Sequence, residues 1–194
     1  NVLAVLGNLP EFILLWPEEI LLLGELDQWL LSEAVSVMRR DQRVASIAVG
    51  HYYYGGIFPG PEVYDQSSEF SRFTCDGSVS TQPTLWRKRV LSDILQRVVN
   101  RSSDATQGYS REQSSIMEQY GTRIFRDLFP DLLNLRTRVE PIFARYCDGA
   151  ISFGKWRRAA VQAITEQGLL VDLSARPLLP VEHDTVISRF PTIV

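Results

Sequence analysis

Two histidines and two cysteines make up the chain's whole stock of the side chains that most readily act as nucleophile, base or soft metal ligand. His51 stands beside Tyr52, Tyr53 and Tyr54, His183 beside Asp184, and Cys75 and Cys147 lie far apart. A metal site would have to gather ligands from unrelated segments, with no Cys-x-x-Cys or His-x-x-x-His spacing to help, and none is expected. A hydrolase would need Cys75 or Cys147 activated by His51 or His183, or a serine paired with His183 and Asp184. Neither cysteine carries a family signature. There is no nucleophile elbow, no phosphate-cradling glycine loop and no dinucleotide fingerprint. No catalytic residue, metal or cofactor is therefore assigned, and a hydrolase with an unrecognised site ranks as the second alternative function.

Charge is the more informative chemistry. Residues 1–83 hold 4 basic and 11 acidic side chains, whereas residues 84–158 hold 14 basic and 8 acidic. Among the 20 basic residues only Lys88 and Lys155 are lysines, so the cations are mostly guanidinium forks, which suit carboxylates and phosphates alike. The candidate interaction surface is Arg87, Lys88, Arg89, Arg97, Arg101, Lys155, Arg157 and Arg158. Such groups could track phosphates, which makes nucleic-acid binding the first alternative function. Against it, Asp93 lies four residues from both Arg89 and Arg97, and the sequence pI is about 5.5.

These residues need elements to hold them. Pro10 opens a short helical turn over Glu11–Leu15. A strong helix is expected from Pro17 to about Arg40, with Glu18 and Glu19 at its positive end and Arg39 and Arg40 at its negative end. Its apolar residues, Trp29 among them, suggest a central place in a bundle, with an oligomer contact as the other option. Arg43–Tyr54 is strand-like in residue type, but no convincing partner strand is evident, which favours helix or irregular structure. Residues 55–83 are rich in turn chemistry and read as one long irregular loop. A helix is expected from Thr84 to about Asn100, with Arg87, Lys88 and Arg89 in its first turn. A polar linker over Arg101–Tyr109 then divides the chain.

Beyond the linker, Ser110 and Gln113 form a capping box for a helix ending at Phe129-Pro130. Asp131 caps a second helix through Leu132, Leu135, Val139 and Phe143, restarted at Pro141. Ser152 caps a third through Trp156, Ala160 and Ile164, with Gly168 as its stop. The last residues, Val186-Ile187 and Ile193-Val194, look extended.

The order Phe129-Pro130-Asp131 before a leucine-bearing helix, then Ala163–Leu173, then Pro177 and Pro180, resembles the effector-associated, death-like adaptor domains of bacterial conflict systems. The resemblance covers about residues 124–180. It implies a homotypic docking module without chemistry of its own.

The expected fold is a mainly α, compact helical bundle, with an acidic helical half over 1–102 and a helical bundle over 110–194. The expected function is protein–protein interaction or assembly through complementary acidic and basic helical surfaces. A protein partner or a second copy would be bound, with nucleic acid as the alternative partner. Phe12–Leu31 is apolar but holds Pro17, Glu18, Glu19, Glu25 and Asp27, so no membrane insertion is expected. No signal peptide is evident, and two distant cysteines fit free thiols in a reducing compartment, so a soluble cytoplasmic protein is expected. Opening on Asn1, the chain is expected to be a piece of a longer one.

Overall fold

A computed structural model describes residues 6–16, 21–22, 25–48, 62–64, 69–72, 79, 83–102, 111–137, 146–147, 150–152 and 154–180. The fold is α/β, not the mainly α bundle that the helical spacing suggests. Its strands are β1 (Phe12–Leu15), β2 (Leu21–Leu22), β3 (Val44–Ala48), β4 (Glu62–Val63), β5 (Phe70–Arg72), β6 (Thr84–Arg87), β7 (Leu133–Thr137), β8 (Tyr146–Cys147), β9 (Ile151–Ser152) and β10 (Lys155–Trp156). Its longer helices are α1 (Gln28–Arg40), α2 (Lys88–Ser102), α3 (Arg111–Leu128) and α4 (Arg158–Glu166).

The chain divides into two units. The first comprises Asn1–Trp16 and Asp27–Phe143, the second Pro17–Leu26 and Ala144–Val194.

In the first unit six strands form one mixed sheet in the order β1-β6-β3-β7-β5-β4. All neighbours run antiparallel except β3 and β7, which pair in parallel with an irregularity between Val44 and Ser46. Strand alternation sends Trp86 and Arg87 of β6 to opposite faces. Trp86 enters an apolar cluster with Ile13, Val90, Leu91, Ile94 and Phe125, so α2 and α3 cover that face. Arg87 meets α1, which lies on the other face and buries Leu30, Ala34, Val37 and Met38. Burying each such Leu, Ile or Val side chain contributes about 1.5–3 kcal/mol.

Several stretches expected to be helical are strands, and for β3 and β6 the physical reason is burial. A strand covered on both faces has no polar side to alternate with, and every residue of β3 and β6 is buried. Thus Arg43–Tyr54 contributes β3, and Glu11–Leu15 contributes β1 where a helical turn was expected. The helix expected at Thr84 begins at Lys88, because Thr84–Arg87 pairs with β1 and β3. Within the helix expected over Asp131–Phe143, Leu133–Thr137 form β7, whose Leu133 and Leu135 occur at strand spacing; residues 138–143, Pro141 among them, lie outside the described residues. The expected loop 55–83 contributes β4 and β5, and Val79 is buried against α3. The helix expected from Pro17 begins at Gln28, capped by Asp27, which accepts from the Leu30 amide at 2.9 Å.

The second unit pairs β2 with β8 and β9 with β10. Gly154, at φ +71°, turns β9 into β10, a conformation that side chains with a Cβ resist. Helix α4 packs Ala160 and Ile164 with Ala150 and Trp156. Ser152, expected to cap this helix, ends β9, and the helix starts after Arg157. The residue after Gln167 is Gly168 at φ +63°, the stop expected from its type.

Candidate interaction site

The eight candidate cations are divided between the two units, and not all of them face solvent. Arg87 is buried, with a side chain only 2% exposed, and its guanidinium donates to the Met38 carbonyl, to the Val44 carbonyl (3.3 Å) and to Glu11 Oε1 (2.8 Å). It also lies 5.2 Å from the centre of the Phe12 ring. Burial pulls its pKa below the usual arginine value, and Glu11 opposes that shift. Lys88 is directed inward too, donating to the Leu9 carbonyl at 2.7 Å. Arg89 and Arg97 are exposed on α2. Of Arg101 only the helical backbone is described.

Lys155, Arg157 and Arg158 sit together in the second unit. Strand β10 is flanked on one side by β9 and on the other by the segment Pro177–Leu179. The Trp156 amide donates to the Pro177 carbonyl (2.9 Å) and the Leu179 amide to the Trp156 carbonyl (2.8 Å). Along β10 burial alternates, with Trp156 buried and Lys155 and Arg157 on either side of it half-buried. In the neighbouring segment Leu178, the bridge partner of Trp156, is 47% exposed and Leu179 is buried. The chain from Gly149 to Thr165 carries these three cations and no carboxylate.

The feature that sequence reasoning misplaced is Trp29. The expected central position is not what α1 shows: the indole is 65% exposed. Helical spacing gives the reason. Ser32, Glu33, Ser36 and Arg40 fall on its side, and Leu30, Ala34, Val37 and Met38 on the other. On that outer face Arg40 reaches Glu33 at 3.2 Å, an exposed pair of little energetic worth. The carboxylates nearest Trp29 along the chain are Asp27, which caps the helix, and Glu33, which is paired with Arg40.

A second cluster holds the end of α1. Asp41 accepts from the Arg43 amide (2.9 Å), the Arg43 guanidinium (2.8 Å) and the Tyr64 hydroxyl (2.7 Å). The Arg43 guanidinium holds its carboxyl well below the usual range, against a smaller opposing effect of burial. Within the sheet, the Ser46 hydroxyl donates to Asn134 Oδ1 at 2.6 Å across the parallel strand pair.

Among the described residues no group of three or more His, Cys, Asp or Glu side chains is placed to hold a metal ion. His51, Cys75, His183 and Asp184 lie outside the described residues, and Cys147 is described only as part of β8. No helix among the described residues is long and apolar enough to cross a membrane. No family model, curated protein or solved structure matches the chain.

Proposed function

We propose that the chain is a protein-interaction or assembly domain and that Trp29 on α1 is its principal contact. The observation that carries this reading is the 65% exposure of that indole, in the first turn of α1 on the face that turns away from the sheet. Tryptophan brings a large apolar area at low side-chain entropy cost, and it is enriched among the few residues that dominate binding energies. Its acidic neighbour Asp27 would select a basic partner surface and speed the encounter.

The alternative of a phosphate-tracking arginine face has less to draw on. Arg87 and Lys88 are engaged with main-chain carbonyls, so two of its eight cations serve the fold. The domain is read as soluble and cytoplasmic, on its two distant cysteines and on the charged residues that interrupt its one long apolar run.

The test places a photo-activatable diazirine amino acid at position 29 and irradiates the protein in extract of its native cells. A covalent adduct to protein, absent when the same group stands at exposed Arg97, is expected. Adducts to nucleic acid alone, or none, would overturn the proposal.

A further inference from the structure

We infer that the occupant of the Trp29 face is a second copy of this chain, bound through the cationic face of the β9–β10 hairpin. This rests on the interaction function proposed above. The argument is complementarity between two surfaces that the same chain carries. One offers an exposed indole with Asp27 beside it. The other offers Lys155 and Arg157 on the face of β10 opposite Trp156, on a stretch without a carboxylate.

The chemistry of the two surfaces matches group by group. An indole face attracts a guanidinium or ammonium placed over it, and Lys155 and Arg157 lie on the outer side of β10, opposite the buried Trp156. Asp27 supplies a carboxylate beside the indole to pair with them. Two hairpins would bring cation against cation, whereas the Trp29 face offers those cations an indole with Asp27 beside it. The contact is therefore between unlike surfaces. Each copy keeps one free surface of each kind, so assembly proceeds head to tail into rings or filaments.

The test uses two variants of the full chain, Trp29→Ala and the double variant Lys155→Glu with Arg157→Gln. Far-UV circular dichroism checks their fold, and Lys155→Glu alone replaces the double variant if that one misfolds. Mass is followed by sedimentation equilibrium across a concentration series. The wild type is expected to grow in mass with concentration and to shrink in high salt. Each variant alone is expected to self-associate at least about 10-fold more weakly. An equimolar mixture of the two should form dimers and nothing larger, because only one intact pair of surfaces can form between them. A wild type that stays monomeric, variants that assemble like the wild type, or a mixture that stays monomeric would each overturn the inference. An adduct from position 29 to a different protein, with a monomeric wild type, sinks this inference and leaves the interaction function standing. Absence of any protein adduct sinks both.

Discussion

The guanidinium of Arg87, at the end of β6, donates to the carbonyl of Met38 in the last turn of α1. The last carbonyls of a helix have no partner within it, and a cation there also meets the negative end of the helix dipole. A residue that composition assigns to a binding face thus joins helix to sheet. Its fork spans the Met38 and Val44 carbonyls and still reaches Glu11, so it ties α1, β3 and the start of β1 to β6.

Replacing Arg87 should therefore damage stability before it affects any partner. Arg87→Ala leaves two buried carbonyls without their donor and is expected to cost about 3 kcal/mol in urea unfolding. Arg87→Lys should recover part of that, because one ammonium cannot reach all three acceptors. Glu11→Ala should cost under about 1 kcal/mol, since the Glu11 side chain is 61% exposed. Equal losses for Arg87→Ala and Glu11→Ala would show that the carbonyl bonds contribute little.

Asp41 predicts an acid limb of stability. Its folded-state pKa is depressed, chiefly by Arg43, so the carboxylate stabilises the fold above its unfolded pKa of about 3.9 and loses that effect as pH falls below it. Asp41→Asn should cost about 1 kcal/mol at neutral pH, and the gap from wild type should narrow progressively as pH drops from about 5 to 2, towards the depressed folded-state pKa. Thermal melts of both proteins over that range check this. A constant gap would remove Asp41 from the acid response.

Gly121 predicts a coupled pair. A Cβ there would stand 2.9 Å from Val79 Cγ1, and Val79 is almost wholly buried. Overpacking costs about 1–3 kcal/mol, more than the roughly 1 kcal/mol that alanine gains over glycine in a helix. Gly121→Ala should destabilise the wild type and do so less in a Val79→Ala background, as a double-mutant cycle would read. Additive effects would mean that Val79 does not restrict that position.

The legible parts of the fold were those with local signals. Gly168 marks the end of α4 by residue type, and the apolar stripe from Ile116 to Leu128 falls on α3. The sheet was hidden because β3 and β6 are buried throughout and lack alternation, and because β6 runs into α2 without a break in apolar pattern. Strand β7 was masked by Leu132, Leu135 and Val139, whose spacing of three and four mimics a helix. At the site, Trp29 was legible in principle, since Glu33, Ser36 and Arg40 place it on the polar side of α1. The role of Arg87 was not, because its principal acceptors are main-chain carbonyls far away in sequence, and carbonyls leave no mark on residue type.

The most direct measurement is hydroxyl-radical footprinting of the four tryptophans, read by mass spectrometry over a dilution series of the purified protein. In dilute solution Trp29 should oxidise far faster than Trp86 and Trp156, which are buried. As concentration rises, Trp29 alone should become protected, and high salt should reverse that protection. Trp29 protected even at the greatest dilution would place the indole inside the chain and contradict the account. So would a Trp29 equally reactive at every concentration, with no adduct to any protein from position 29.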